Sequence, residues 1–462
     1  MTDYENMKAI LKAYYREGGV ENLLGRNSPV IPEIQKDKVE GKEFRFPALA
    51  GRGGAVSADY NEATSLASKT ARNVEFVIPG STGQIFSNYK MSLRDLEAAR
   101  TEKGAYMKIA ANKMTAAEEA LRKTLGAVLY GRGYGEICAT NYTTAITANT
   151  EFDLELPDSA IMAIDEGTVL ALKSSVVSST VDARLTVQSI NGNTVKVISD
   201  TAVASPAATD VLCISGGLDD NGHALYPVGL GEWLPVVAGR SGTNWDTYVG
   251  TDFFGVNRSK NVERLCGKFY QAASGEKKSV SIMKLIKKVR QGGSKCDFII
   301  MNDEDAYDVM AEVQTTNAYM NMVGDGKKKN TINVGANAMT FGFQTNWVEN
   351  IYDDPFCPKG RFYVLEKANV GMITWSSTGK IDGSIRNNEP GAETVDAEGN
   401  EAKQFGLLID DLLSVVPSDG TTSGPSAQVV LSLFGHFVVY NQAHCGVGEF
   451  SDSTDFALTQ TA

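Results

Sequence analysis

The sequence predicts an α+β chain, and three observations predict it. A helical pattern of 39 residues runs from Ser92 to about Tyr130, β-branched residues dominate 148–215, and an amphipathic helix near 277–291 leads into a buried strand, DFIIMN. The chain has 462 residues, with 42% hydrophobic and 22% charged residues, which is globular composition and excludes disorder or a coiled coil as a global description. At roughly 150 residues per domain, two or three domains are expected. The net charge is −12. That acidity argues against a dedicated nucleic-acid binder, which carries a net basic domain, but leaves room for a local basic face.

The elements follow in order. Met7, Ile10, Leu11 and Tyr14 share one stripe of a short N-terminal helix, capped by Thr2 or Asp3 and closed by Gly18 and Gly19. The charged start lacks the apolar core of a secretory signal, and no run approaches the ~20 apolar residues of a membrane helix. GRNSPVIPEIQKDKVEGK reads as an extended arm. EFRFPALAG and NVEFVIPGSTGQIFSNYK are two β-rich runs flanking a polar tip, which makes a long hairpin-like loop.

Ser92 is the expected N-cap of the long helix, in which Met107, Met114, Leu121 and Val128 recur every seven residues with Ala110 and Ala117 on the same face. A continuous helix of that length spans about 58 Å, with Gly104 as a point of interruption. RLTVQSI-NGN-TVKVIS alternates around an Asn-Gly turn and marks a hairpin inside a small, self-contained β-barrel or sandwich. Further on, Ile282, Leu285, Ile286 and Val289 form one helix face, opposed by Lys284, Lys287 and Lys288, and Gly292 and Gly293 stop that helix. A second helix follows with Asn302 as its cap. TFGFQTNWVENIY, GRFYVLEK and SAQVVLSLFGHFVVYN complete the chain as strands.

Little of this is the text of an enzyme. GRGYG at 131–135 follows a helix and lacks the third Gly of a dinucleotide fingerprint, and no P-loop or G-x-S-x-G is present. The three histidines are scattered: His436 sits in an apolar strand as a structural residue, His223 in a turn, and His444 beside Cys445, where strand neighbours face opposite sides. Asp303, Glu304, Asp305 and Asp308 miss the calcium-loop pattern, and complement the positive end of a helix dipole. Six cysteines lie at least 30 residues apart with no CxxC pair, which fits a reducing cytoplasm. No cofactor and no metal site is expected. Residues 277–295 hold seven Lys or Arg and no acid, either a solvated face or one set against polyanion.

The order of these pieces resembles the major capsid proteins of tailed bacteriophages, whose shell fold is shared with encapsulins and the herpesvirus capsid floor. VGTDFFGVNRSKNVERLCG followed by SIMKLIKKVRQGGSKCDFIIMNDEDAYDVM is similar to the passage from a peripheral into an axial domain. TFGFQTNWVENIYDDPFCPKGRFYVLEK resembles the axial strands, and KEFRFPALAGRGGAVSADY the rising arm of the extended loop. The resemblance covers nearly the whole chain and rests on order and texture.

It implies a phage capsid shell fold divided as 1–41 N-terminal helix and arm, 42–91 extended loop, 92–147 spine helix and peripheral domain, 148–215 inserted β-domain, 216–296 peripheral domain continued, 297–420 axial domain, and 421–462 return strand and tail. It implies a non-enzymatic shell protein of the virion, assembled in the host cytoplasm into hexamers and pentamers of itself around double-stranded DNA. The implied partners are a separate scaffolding protein, a portal protein, decoration proteins and packaged DNA held non-specifically, with no membrane. Phe44, Phe46, Arg52, Tyr60, Lys69 and Arg72 are expected to touch a neighbouring subunit, and Lys284, Lys287 and Lys288 to face DNA. Autocatalytic cross-linking, found in some relatives, is not expected, because no Lys, Asn and carboxylate trio stands out. The alternatives are an encapsulin-like compartment with protein cargo, or an α/β enzyme with a site between the insertion and residues 296–314.

Overall fold

The computed structural model of the chain describes residues 28–39, 41–51, 57–66, 72–92, 109–176, 178, 180–208, 210–218, 224–317, 341–343, 346–348, 350–375, 407–409, 414–416 and 426–451. The helix expected at 4–15 lies outside these residues. The arm enters at Ser28 and forms strand β1 (Gln35–Lys38). Strands β2 (Glu43–Gly51) and β3 (Arg72–Pro79) then make an antiparallel hairpin, with Phe44 opposite Ile78 and Phe46 opposite Phe76. Helix α1 (Tyr60–Leu66) lies within its tip.

The expected β run NVEFVIPGSTGQIFSNYK is cut in two by a turn. Gly83 there has φ +77°, and a Cβ on it would sit 2.6 Å from His436 Nε2, so the turn packs this closely only with glycine. Beyond the turn, β4 (Gln84–Ser92) leaves the hairpin for another sheet. Ser92 is therefore the last residue of a strand, and residues 93–108, over which the long helix would begin, lie outside the described ones. The described helix α2 (Ile109–Leu129) has 21 residues, about 31 Å, and buries Ala117, Leu121, Leu125 and Val128.

Strands β5 (Glu136–Ala139), β6 (Glu151–Glu155), β7 (Val169–Lys173), β8 (Ala183–Asn191), β9 (Thr194–Ser199) and β10 (Val211–Ile214) form one antiparallel sheet ordered β5-β10-β7-β8-β9-β6. The Asn191-Gly192 turn joins β8 to β9. A barrel or sandwich was expected, but the outer strands β5 and β6 stay unpaired with each other among the described residues. A second sheet is unnecessary, because helix α3 (Asp158–Ala163) and the connections carrying Ile146 and Leu156 cover the apolar face. Leu154, Leu170, Leu185, Val187, Val195, Val197 and Leu212 fill a core separate from the rest.

Short helices α4 (Leu230–Trp233), α5 (Gly242–Gly250) and α6 (Val262–Leu265) lead to β11 (Lys268–Gln271), α7 (Lys278–Gln291), β12 (Phe298–Met301) and α8 (Asp303–Asn317). Strands β13 (Phe341–Phe343), β14 (Asn346–Val348), β15 (Asn350–Asp353), β16 (Arg361–Leu365), β17 (Val370–Thr374), β18 (Leu407–Ile409), β19 (Ser414–Val416), β20 (Ser426–Val439) and β21 (Gly446–Glu449) follow. A five-stranded sheet, β11-β21-β16-β12-β15, mixes parallel and antiparallel pairs. Because β12 and β16 are buried on both faces, they read as continuous apolar runs. Ile299, Met301, Phe362 and Val364 face Ile282, Leu285, Ile286 and Val289 of α7, while Phe298, Ile300, Tyr363 and Leu365 turn toward the main core.

The other large sheet is built on β20. It pairs with β4 over Ser426–Phe434 and with β17 over Gly435–Val439, takes β18 and β19 as well, and β1 adds to β17 in parallel. His436 is fully buried in this strand, as the apolar surroundings led us to expect. Its Nδ1 accepts the Val228 N–H at 3.1 Å, so the neutral ring carries its proton on Nε2, 3.1 Å from Thr82 Oγ1.

Burial pushes the His436 pKa from 6.5 down to about 4. The folded state thus favours the neutral ring, and that stability is complete above pH 6.5 and drains away as pH falls toward 4. The expected loss is about 3 kcal/mol over that window. His436→Asn keeps an acceptor for the Val228 amide and cannot titrate. Urea unfolding at pH 7 and pH 4 should show a smaller pH-dependent drop for the variant; equal drops would place the acid sensitivity elsewhere.

Candidate assembly surfaces

The two strands of the hairpin turn one face onto the body of the chain, through Phe46, Ala50, Phe76 and Ile78. Phe46 is 9% exposed and stacks on Phe76 at 5.0 Å, with the Trp233 ring 6.1 Å and the Tyr440 ring 5.5 Å away. Trp233 lies 5.4 Å from Phe76 and 4.9 Å from Phe253, and its Nε1 donates to the Phe437 carbonyl at 2.7 Å. This aromatic seat places the Phe46 ring in the chain's own core. Phe44 is half-buried against the same cluster. Alternation along a strand points every second residue inward, and the sequence pattern alone does not reveal that the inward face already has a partner.

The remaining loop candidates divide. Tyr60 is 80% exposed at the start of α1, a large aromatic ring with no core to join. Arg72 pairs through its backbone with Gly51 at the end of the hairpin. Arg52 and Lys69 lie outside the described residues. Together with exposed Leu49, Tyr60 makes the tip side of the hairpin the apolar part that faces outward.

Helix α7 is less uniformly basic at its surface than its composition suggests. Lys278 is buried, with Nζ 2.7 Å from Asp305 Oδ1 and 2.7 Å from Asp308 Oδ2. Asp305, 0% exposed, also accepts the Gly360 N–H at 2.7 Å. The acidic start of α8 was expected to complement a helix dipole; in the structure its carboxylates grip the neighbouring helix as well. Glu312 of α8 accepts the Lys278 and Ser279 amides at 3.0 Å each, capping the α7 N-terminus. None of this shows in local sequence, since the partners are about thirty residues apart.

Lys284, Lys287 and Lys288 are all exposed, but two are engaged. Lys284 Nζ lies 2.7 Å from Glu276 Oε2 and 3.0 Å from the Tyr270 hydroxyl, and Lys288 Nζ donates to the Phe269 carbonyl at 2.9 Å. No comparable contact engages Lys287 among the described residues. Lys277, just before the helix, and Lys295, beyond its end, are also exposed.

Other motifs resolve as structure. GRGYG carries α2 into β5 with Gly133 and Gly135 at positive φ, and its Arg132 and Tyr134 amides donate to the Glu136 carboxylate, which occupies the place a phosphate would take. Burial raises the Glu136 pKa. Glu232 bridges Arg132 at 3.0 Å and buried Arg258 at 2.9 Å. His444 pairs with Glu366 at 2.8 Å while Cys445 is buried. All six cysteines are buried free thiols. Among the described residues, no three His, Cys, Asp or Glu side chains could hold a metal ion, and no helix is long and apolar enough to cross a membrane.

No protein-family model matches the chain, and no curated protein matches it. Solved structures do. The capsid asymmetric unit of cyanophage A-1(L) aligns over 97% of this chain and 99% of its own, with a TM-score of 0.55 at 11% identity. A capsid protein of a native GTA particle aligns over 98% and 99% at TM-score 0.45 and 10% identity, and one from Mycobacterium phage Adephagia over 96% and 97% at 0.42 and 9%. The end-to-end match to the cyanophage subunit shows that this chain has the capsid shell fold.

Removing one member of a buried pair leaves the other charge stranded. Lys278→Met should cost about 3–5 kcal/mol in denaturant unfolding, and adding Asp305→Asn should recover much of it. Lys287→Met, at an exposed position, should stay within about 0.5 kcal/mol of the parent.

Proposed function

We propose that the chain is the major capsid protein of a tailed bacteriophage, which self-assembles into an icosahedral shell around double-stranded DNA. The observation that carries this is the fold alignment with the cyanophage capsid subunit, which leaves almost no part of either chain unmatched. The side chains support it. Buried charges pair across junctions between elements, Glu232 with Arg132 and Arg258, and Lys278 with Asp305. Contacts between unlike surfaces, repeated by rotation, close rings, and curved rings close a shell.

In this proposal the hairpin tip, with Tyr60, Arg52, Lys69 and Arg72, reaches a neighbouring subunit. Phe44 and Phe46 hold the hairpin to its own body. The exposed lysines of α7 face packaged DNA without base readout, with Lys287 as the most available cation and Lys284 and Lys288 partly engaged. A scaffolding protein, a portal protein and decoration proteins complete the particle, which assembles in the host cytoplasm.

Purified protein, alone or with a scaffolding partner, should give closed shells or capsomer rings by light scattering and negative-stain microscopy. Monomers at every concentration and salt tested would overturn the capsid assignment. Nucleic acid inside recovered particles separates a phage shell from a compartment with protein cargo.

A second expectation concerns DNA. Each phosphate contact contributes about −0.9 to the slope of log affinity against log salt, so Lys287→Ala should flatten that slope by about one contact's worth. An unchanged slope would remove α7 from the DNA-facing surface.

A further inference from the structure

The hairpin has a defined point at which it stops being seated. Strands β2 and β3 pair in register from Glu43 opposite Pro79 to Leu49 opposite Asn73, and then the register slips, so that Gly51 faces Arg72. Ala50 is the extra residue of a β-bulge and has no partner in the ladder. It is nevertheless 2% exposed, so its carbonyl needs a donor from elsewhere.

Two side chains supply one. Asn261 Nδ2 donates to Ala50 O at 2.7 Å, and Arg264 Nη1 donates to the same oxygen at 3.1 Å. Both come from the turn and short helix at 259–265, and the adjoining segment holds β3 from the other side, where the Val77 N–H donates to the Phe254 carbonyl at 3.0 Å. Phe254 sits at φ +48°, an uncommon conformation for an aromatic residue, which the packing around it maintains. The seated part of the hairpin therefore ends in a latch, and the last pair, Gly51 with Arg72, stands just beyond it. β-bulges bend and twist the strand that carries them, so an unrestrained bulge at this place is a pivot.

We propose that Asn261 and Arg264 are positioning residues that fix the angle at which the hairpin tip leaves the subunit, and through that angle the curvature of the assembled shell. This rests on the capsid assignment above. The tip carries exposed Tyr60, and a small rotation at the bulge is magnified along the tip. In a closed shell the angle between neighbours determines how many copies close it, so a loose pivot permits several closures where a fixed one permits one.

The subunit and the particle test this separately. Nitroxide labels at Ala58→Cys and Asp252→Cys, both exposed, report the tip-to-body distance, because the native cysteines are buried and stay unlabelled. The parent should give one narrow distance peak. Asn261→Ala with Arg264→Ala should lose it to a broad distribution, and Arg264→Lys, which keeps a donor, should retain it. Arg264 is exposed, so Arg264→Ala alone serves if the double variant does not fold. In assembly, the double variant should form particles of more than one diameter, or tubes, where the parent forms one size. An unchanged distance peak, or shells of the parental diameter alone, would overturn the proposal. Failure of the parent to assemble would overturn the capsid assignment, while the distance peaks still decide whether the latch sets the tip angle.

Discussion

A β-strand in the interior must find partners for every backbone amide and carbonyl on both edges, and the 14-residue β20 imposes that demand on most of the molecule. Its first nine residues take β4 and its last five take β17, while β18 and β19 also pair with it. These partners come from residues 84–92, 370–374, 407–409 and 414–416, so a single strand near the C-terminus ties together the base of the hairpin and the exit from the five-stranded sheet, and through β17 the arm. The close approach of Gly83 to Gly435 and His436 follows from the same demand. The turn leading into β4 must run directly over β20, and no side chain fits between them.

Buried charges mark the places where these parts meet. Asp354 accepts from Ser28 Oγ, from the Tyr130 hydroxyl at 2.8 Å and from the Phe356 amide at 3.0 Å, joining the arm, the end of α2 and the five-stranded sheet at one carboxylate. Burial raises its pKa, and these donors work against that shift. Glu232 with Arg132 and Arg258, and Lys278 with Asp305, do similar work at two other junctions. Apolar residues of equal volume can stabilise such sites as well or better, but removing one member of a pair strands the charge of the other. In the proposed shell the same surfaces recur in every copy, so the geometry that these junctions hold would be repeated at each contact.

Local periodicity made much of this legible. The Asn191-Gly192 hairpin, the apolar face of α7, the buried strand β12 and the long C-terminal strand stand where alternation and spacing put them. What local sequence could not carry was partnership. EFRFPALAG reads as a strand with an inward face, and nothing within it says that Trp233 and Tyr440 wait on that side. KKSVSIMKLIKKVRQ reads as basic, and nothing within it distinguishes Lys278, which is buried against Asp305, from Lys287, which is not. The break at Gly83 could have been suspected from PGSTG, a turn-forming cluster inside a β-rich run. The bulge at Ala50 has no such signal, since a register slip depends on both strands at once.

Charge is segregated along the sequence, which bears on the contacts that the proposed shell would use. Residues 381–462 hold twelve acids and two bases, whereas 277–295 hold seven bases and no acid. An isologous contact sets a surface against its own copy, so like charges face each other across it and repel within the ~8 Å screening length of physiological salt. A heterologous contact sets unlike patches together and can turn the same segregation into attraction. In the proposed shell, segregation of this kind favours head-to-tail contacts around rings over contacts between like surfaces, with Ala50 of the hairpin held to the body by Asn261 and Arg264.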